Sequence, residues 1–364
     1  MKKLLFVFAI CLLAKLDTIA QGCVAIRSNG ASCTGEEASS TNASGWQLNT
    51  NYRYFHSYKH FVGKVEQKER EEKGTDVRNW QHALTISVVR KFNNRWSMTL
   101  DVPVLVNTRS SMYEHYGNTS TNPNARRKTY ANGLGDVRVA GNYWLFDPSK
   151  YKKGNVQVGL GIKLATGNYN VQDLFWKNDS TYAIGPVDQS IQLGDGGTGF
   201  TTEMNAYFNF TPRIGVYGNA YYLFNPREQN GVSTTRGGTA SATTLKYFTA
   251  TMSVPDQFMF RAGAHYNINK LMASAGLRVE GIPAKDAIGG SKGFRRPGYV
   301  VSIEPVVAYH FSKFNAFVSV PVAVERNRTQ SYSDLLRSAD TGTKVQGDAA
   351  FSNYSINWGL SFKL

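Results

Sequence analysis

A glycine-rich segment near the middle of the chain has the spacing of a dinucleotide-binding turn. Residues 194–199 read GDGGTG, with glycine at the first, third and sixth positions. Such a turn holds a pyrophosphate only where a strand precedes it and a helix follows it, because the phosphates lie on the N-terminus of the helix. The residues after Gly199 alternate between apolar and polar, which predicts a strand instead. We therefore interpret the segment as a glycine turn and predict no nucleotide and no other cofactor.

The histidines are too scattered to predict a metal site or a catalytic centre. None of them forms a close pair with a nearby carboxylate, as a structural zinc site would require; they are His56, His60, His82, His115, His265 and His310. Hydrolysis at a lipid surface would need a serine, a histidine and an orienting group on one face of a sheet. His82 and Ser87 share a segment but differ in parity, so they would point to opposite faces. We expect neither a metal ion nor an enzyme.

Charged residues recur within segments that alternate between apolar and polar, always on the polar side of the alternation. By this parity they share the face opposite the apolar side chains: Arg53, Asp101, Asp136, Arg138, Lys163, Glu203, Arg261, Arg278, Glu280, Glu304 and Glu325. An Arg or Lys facing lipid at mid-depth would cost roughly 2–4 kcal/mol, so the charged face should enclose a lumen. Two roles remain open: ion pairs that fill and brace the interior, or a charged path that selects solutes.

The elements that would position these charges are β-strands with one apolar and one polar face. The first example has Trp46, Leu48, Tyr52 and Tyr54 on one face. Similar alternation recurs to the C-terminus and predicts about 12 strands, each long enough to cross a bilayer when tilted. Aromatic residues near strand ends should form interfacial girdles; they are Trp46, Trp80, Trp96, Trp144, Phe210, Tyr309 and Trp358.

The connections favour a membrane barrel over a soluble sandwich. Tight turns at 93–94, 211–213, 269–270 and 312–315 alternate with long polar segments at 57–79, 107–132, 168–197, 225–256, 281–298 and 327–350. Short turns at one rim and long loops at the other are typical of an outer-membrane barrel. The fold class predicted is all-β, a transmembrane antiparallel up-and-down barrel of about 12 strands over residues 45–364. We expect a monomer.

The composition excludes two other classes. Only 18% of the 364 residues are charged while 13% are aromatic, and the mean hydropathy is −0.35. A bundle of membrane helices would be far more apolar, and a disordered chain would lack the aromatic residues.

The N-terminus reads as a secretory signal peptide over residues 1–20. Lys2 and Lys3 precede an apolar run that ends before the small-residue site at Thr18–Ala20, and the run is too short to span a membrane as a helix. Without these residues the net charge of +15 falls to about +13, because three lysines and one aspartate are removed. Outside the cytoplasm a basic chain is not expected to bind nucleic acid, so the predicted partners are outer-membrane lipid and lipopolysaccharide phosphates, and small-molecule solutes.

The segment 21–44 is rich in Ser, Thr and Gly and reads as a flexible tail or plug. It contains Cys23 and Cys33, an even pair in an exported chain, which favours a disulfide. Lipidation of Cys23 is the main alternative, although the preceding residues 20–22 make a poor lipobox. Two free thiols are the third possibility.

Several segments resemble a family of bacterial outer-membrane barrels labelled as transporters, or as the MetA-pathway of phenol degradation. The matching pieces are residues 133–136 (GLGD), 161–167 (GIKLATG), 193–196 (LGDG), 276–283 (GLRVEGIP) with Asp286, and 294–299 (FRRPGY). The family usually has Pro-Thr-Gly where this chain has Ala165-Thr166-Gly167. Residues 21–23 also resemble exported proteins of Bacteroidetes.

The resemblance implies passage of small aromatic or hydrophobic compounds across the cell outer membrane. The function predicted is therefore a passive outer-membrane channel for small solutes. The chain lacks room for the large plug domain of an energy-coupled transporter. A non-transport surface barrel, a scaffold or adhesin working through its long loops, is the alternative.

Basic residues crowd two of the long loops and predict a positive outer mouth. They are Arg126, Arg127, Lys128, Lys285, Lys292, Arg295 and Arg296. Such a mouth would steer small anions inward at low salt, and substituting Arg295 and Arg296 by Gln would reduce that preference. Alternatively, the same side chains would bind lipopolysaccharide phosphates at the rim.

Overall fold

The computed structural model describes residues 44–113, 120, 122 and 124–364. The signal peptide, almost all of the tail 21–44, the Cys23–Cys33 pair and His115 lie outside the described residues.

The described chain forms a closed antiparallel barrel, which confirms the predicted fold class. The wall strands are β1 (Gly45–Val62), β3 (Arg78–Lys91), β4 (Trp96–Met112), β5 (Arg126–Leu134), β6 (Arg138–Trp144), β7 (Gly154–Lys163), β10 (Gly199–Asn209), β11 (Ile214–Phe224), β14 (Gln257–Ile268), β15 (Leu271–Ile282), β16 (Gly298–His310), β17 (Phe314–Ser319), β18 (Val322–Arg328) and β19 (Ala349–Lys363). Neighbouring wall positions pair around the barrel, and β19 pairs with β1 to close it. β5 with β6, and β17 with β18, each share one wall position, which gives 12 positions.

The two interrupted wall positions each face a proline in the neighbouring strand. Pro103 lies in β4 where its partner changes from β6 to β5, and Pro305 lies in β16 where its partner changes from β18 to β17. Proline cannot donate to the ladder, so the pairing breaks on one side of it, while β3 pairs past Pro103 and β15 pairs past Pro305 on the other side without a break. These prolines therefore mark breaks within the wall, and not at the rims.

All the short connections lie at one end of the barrel and the long ones at the other. The short turns are 92–95, 145–153, 210–213, 269–270 and 311–313, and the long loops are 63–77, 113–125, 164–198, 225–256, 283–297 and 329–348. The long loops contain three small strand pairings that the sequence did not predict: β2 (Val65–Glu66) against β1, β8 (Gln172–Trp176) with β9 (Tyr182–Pro186), and β12 (Gln229–Ser233) with β13 (Thr251–Ser253).

The loops also contain helices, whereas the sequence suggested none of useful length. They are α1 (Glu69–Glu72), α2 (Ala242–Lys246) and α3 (Tyr332–Thr341). Helix α3 begins with a capping box between Ser331 and Asp334 and ends at Gly342, whose φ of 67° is left-handed. Both are readable sequence signals for helix ends.

Burial is inverted relative to a soluble protein. Apolar side chains such as Leu160 and Leu277 are exposed on the outside, while Arg138 and Thr201 are buried inside. An apolar outer belt and a polar interior are what a lipid-spanning barrel requires. No helix among the described residues is long and apolar enough to cross a membrane.

Candidate functional site

Three of the long loops fold into the barrel at its long-loop end, which we call the outer end. We call them L3 (164–198), L4 (225–256) and L5 (283–297), and together they form the loop plug. In L3, Val187, Ile191 and Leu193 pack on the inner wall at Leu105 and Ala131.

Hydrogen bonds fasten the same part of L3 to the wall. The side chain of Gln81 donates to the carbonyl of Ser190 at 2.6 Å, and the side chain of Asn107 donates to the carbonyl of Ile191 at 2.9 Å. L4 and L5 are joined to each other through backbone bonds, because Phe294 N–H donates to Thr251 at 2.7 Å and Ser253 N–H donates to Phe294 at 3.0 Å.

Buried ion pairs hold the plug together. Arg296 of L5 donates to both oxygens of Asp188 in L3 at 2.8 and 2.6 Å, and Arg109 of β4 lies 3.5 Å from the same carboxylate. Burial would raise the pKa of Asp188, but the Arg109 and Arg296 charges outweigh it and hold the pKa well below its usual range. Within L5, Arg295 donates to both oxygens of Asp286 at 2.7 and 2.6 Å, and both side chains are fully buried.

The residues of the predicted basic mouth do not form a group of unpaired positive charges. Arg295 and Arg296 are neutralised inside the plug, so they are not unpaired charges at an entrance. Arg126 pairs with Asp76 at 2.7 Å and Arg127 with Asp179 at 3.1 Å. Lys128 is exposed with its ammonium 5.7 Å from the Trp80 ring, Lys292 lies 4.9 Å from the Phe248 ring, and Lys285 is exposed. The sequence showed the basic residues but not the distant partners of Arg126, Arg127 and Arg296; Arg295 pairs with Asp286 of its own loop.

A buried cluster that we call the Arg138 network lies at mid-height in the barrel. Arg138 donates to Asp101 at 2.9 and 2.6 Å and also pairs with Glu203. The hydroxyl of Ser87 donates to Asp101 at 2.5 Å, and the guanidinium carbon of Arg138 lies 6.0 Å from the centre of the Tyr221 ring.

A second cluster, the Arg278 network, joins strands that are far apart on the wall. Arg53 of β1 lies 2.6 Å from Glu280 of β15, which also pairs with Arg278 at 2.6 Å. Glu304 lies 3.6 Å from Arg278 and 3.5 Å from Arg261. Three other wall positions separate β1 from β15, so the Arg53–Glu280 pair spans the interior.

The third cluster, the Lys163 network, fixes the break between β5 and β6. Lys163 lies 3.2 Å from Asp136, pairs with Asp195 and donates to the carbonyl of Gly197 at 2.7 Å. The motif segments 133–136, 161–167 and 193–196 all meet here. A Cβ on Gly194 would lie 2.6 Å from the carbonyl oxygen of Gly167, and a Cβ on Gly167 would lie 2.7 Å from that of Leu193, so the backbones pack in contact only because these residues are glycines.

All the predicted lumen residues except Glu325 belong to one of these three networks. Glu325 lies nearer the outer end, 2.7 Å from Lys64 and in contact with Tyr299. The sequence analysis did not identify Asp195 or Asp188, although Asp195 lies within the quoted LGDG motif.

The three networks together contain five cationic and six anionic side chains. Whether these residues line a solute path stays a prediction.

Three cavities follow one another through the interior. The lower cavity, about 210 Å³, reaches the short-turn end at Asn93 and Asn94 and is bounded above by the Arg138 network. The middle cavity, about 80 Å³, shares Asp101, Arg138 and Tyr221 with it. The outer cavity, about 250 Å³ between L3, L4 and L5, shares Gln189 and Met252 with the middle one.

One aromatic residue that was predicted to face the membrane points into the barrel instead. Trp144, predicted in the outer girdle, lines the lower cavity and packs edge-on against Tyr207 with ring centres 6.0 Å apart.

The histidines take structural positions where they are described. His60 binds Asp348 at 2.7 Å and accepts from Val77 N–H at 2.8 Å, and His82 binds the hydroxyl of Tyr52 at 2.5 Å on the outer face. Within the described ranges, no group of three His, Cys, Asp or Glu could hold a metal ion.

Comparisons with known proteins identify the fold. No family model matches the chain, and no curated protein matches it, so the resemblance to the phenol-degradation family is not confirmed. The crystal structure of an outer membrane channel from Pseudomonas putida F1 is similar over 89% of this chain and 97% of that chain, with 10% identity and a TM-score of 0.55. This similarity shows the fold of an outer-membrane β-barrel.

Two further solved structures overlap less closely. A FadL homologue from Pseudomonas aeruginosa covers 90% of this chain and 92% of its own, with 8% identity and a TM-score of 0.43. The CymD monoaromatic hydrocarbon channel covers 91% and 93%, with 9% identity and a TM-score of 0.41. TM-scores below 0.5 do not establish a shared fold, so the assignment rests on the P. putida channel.

Proposed function

We propose that this chain is an outer-membrane channel through which small solutes pass passively. The observation that carries the proposal is the series of three cavities along the barrel, in which each cavity shares lining residues with the next. A barrel that served as a scaffold would have no need of cavities in series. The solved P. putida structure with the same fold is an outer membrane channel, which supports the proposal.

The proposed location is the cell outer membrane, with lipid and lipopolysaccharide against the apolar belt. The outward side chains of β4 and β7, among them Leu100 and Leu160, support this location because they are exposed and apolar. The exposed Lys128 beside Trp80 lies on the same outer surface and suits a lipid phosphate. We place the short turns in the periplasm and the loop plug outside the cell.

The solute class is the finer part of the proposal. The family resemblance suggested aromatic or hydrophobic compounds, and the basic loop residues suggested small anions. The nearly balanced, paired charges of the lumen favour uncharged solutes over anions, because a paired arginine offers little attraction to a second anion. No enzyme activity is part of the proposal.

Solute flux into liposomes tests the channel function. The purified chain should accelerate swelling of liposomes in isotonic solutions of small uncharged solutes, and should conduct ions in planar bilayers. Weakening the plug by Asp188→Asn should raise both rates, whereas Asp179→Asn, at the exposed Arg127 pair, should leave them unchanged. Absence of flux and conductance in both variants would refute the channel and leave the surface scaffold.

A further inference from the structure

The lower cavity has two chemically different walls, and the first is built of amides and hydroxyls. Asn142 donates to the hydroxyl of Thr99 at 3.1 Å, Asn205 donates to the amide oxygen of Gln157 at 3.2 Å, and Asn219 donates to the amide oxygen of Asn205 at 2.7 Å. These side chains come from five neighbouring wall strands and all line the cavity. Because the bonds fix how each amide is turned, the wall is oriented before any solute arrives.

The facing wall is apolar. Met272, Val306 and Ala308 are buried in one cluster with Phe317 packed against it. Met272 pairs with Ala308, and Ala308 pairs with Phe317, so the three form one row across β15, β16 and β17. The Phe317 ring lies on Gly359, where a Cβ would come within 2.5 Å of it. A channel for water and ions alone would not need apolar side chains at inward positions.

Among the residues that the structure describes, charged side chains line this cavity only at its two ends. Asp101, Arg138 and Glu203 close the upper end and pair with one another, and Lys91 and Arg95 lie at the short-turn rim. Between them the lining is uncharged. A charged solute would lose hydration there without gaining a counter-ion, which is costly, so the cavity suits an uncharged solute.

We infer that the lower cavity binds an uncharged ring compound with several hydroxyl groups, such as a neutral monosaccharide or cyclic polyol. Its hydroxyls would pair with the amide wall, and its C–H face would lie on Met272 and Phe317. A solute with a single hydroxyl would leave unpaired most of the amide donors and acceptors that the bonds within the wall do not use, which costs free energy for each buried group. The volume of about 210 Å³ suits one ring, since sites for larger, drug-sized ligands have roughly 300–1,000 Å³. The inference rests on the proposed channel function.

Equilibrium binding to the full chain in detergent tests the inference. Calorimetry, with intrinsic tryptophan fluorescence as a second readout because Trp144 lines the cavity, would compare glucose, glucuronate and benzyl alcohol. We expect glucose to bind at least tenfold more tightly than either of the others. Glucuronate binding equally well would overturn the requirement for an uncharged solute, and benzyl alcohol binding best would replace the polyol with a mainly apolar ligand.

Paired variants separate the site from general effects on the barrel. Asn142→Leu and Phe317→Ala, one on each wall, should each weaken glucose binding roughly tenfold. The control is Val318→Ala, on the same strand as Phe317 but facing lipid and 49% exposed, which should bind as the parent does. Ion conductance in planar bilayers reports whether each variant folds.

The outcomes distinguish the two proposals. A chain that conducts ions but binds none of the three solutes would overturn the sugar site and leave the channel standing. A chain that neither conducts nor admits any solute to liposomes would overturn the channel as well. Equal losses in Val318→Ala and Asn142→Leu would also refute the site.

Discussion

Substituting Asp188 by Asn should release the loop plug. This carboxylate is the point at which L3, L5 and the wall meet, because it binds Arg296 through both oxygens and lies 3.5 Å from Arg109. Its side chain is 3% exposed, and those of Arg109 and Arg296 are 2% and 14% exposed. An Asn would keep the shape but remove the negative charge that Arg109 and Arg296 share at this point.

The magnitude follows from the burial of the pair. Removing one partner of a buried ion pair costs about 3–5 kcal/mol, because the remaining charge has lost its hydration without compensation. Arg296 retains some contact with water, so the lower value of about 3 kcal/mol is the appropriate one. At about 1.4 kcal/mol for each factor of ten, the equilibrium between the docked and released plug should shift roughly a hundredfold toward release.

Single-channel recording and limited proteolysis of L3 would measure that shift. Asp188→Asn should show longer or larger open states and faster cleavage between β7 and β10. Asp179→Asn removes an exposed pair with Arg127, worth about 0–1 kcal/mol, and should match the parent. The double variant Asp188→Asn with Arg296→Gln should recover part of the loss, because one buried charge is removed. If Asp188→Asn gave the conductance and cleavage rate of Asp179→Asn, the buried pair would not be what holds the plug.

Three further predictions follow from the ion pairs and from the glycine contact. The arginines hold the pKa of Asp188 well below its usual value of 3.8, so the stability they confer is present above about pH 4 and is lost as the pH falls further. Conductance should therefore be constant from neutral pH to about pH 4 and should rise below it. A rise near pH 6 would contradict this prediction. Gly194→Ala should destabilise the docked L3 by about 1–3 kcal/mol through overpacking, which faster proteolysis would show. In the control Gly231→Ala the new Cβ would meet no atom within 4 Å. Gly231 has a φ of 83°, so this change should act only locally in L4. Arg295→Gln with Arg296→Gln should change conductance more than the reversal potential in a salt gradient, and a loss of marked anion selectivity would restore the steering hypothesis.

The wall strands could be predicted from the sequence because apolar and polar residues alternate along them. Apolar residues at Trp46, Leu48, Tyr52 and Tyr54 fix which face meets lipid, and a slip of one residue would reverse it. Parity therefore also placed Arg53 and Glu280 inside. It could not show that they pair, because their contact depends on where β1 and β15 lie around the closed wall.

The loop plug could not be predicted from the sequence because its contacts join residues far apart in the chain and follow no regular spacing. Arg296 and Asp188 are 108 residues apart, in two loops with no periodic pattern. L3 also folds back on itself through close backbone contacts at Gly167 and Gly194, which no spacing rule encodes. Helix α3 was different, since the Ser331 and Asp334 capping box and Gly342 were readable signals that the alternating pattern overshadowed.

The pairing of the first wall strand with the last has a consequence for biogenesis. Gln47 of β1 bonds to Ser361 of β19, 314 residues along the chain. Closure thus waits for the final residues, and contacts of such sequence separation form slowly because a long loop must close first. Until then β1 and β19 both present unpaired backbone edges, each group of which costs several kcal/mol in hydrocarbon. Insertion into lipid and closure of this seam should therefore be one concerted event, and a chain that ends before β19 should remain outside the bilayer and aggregate.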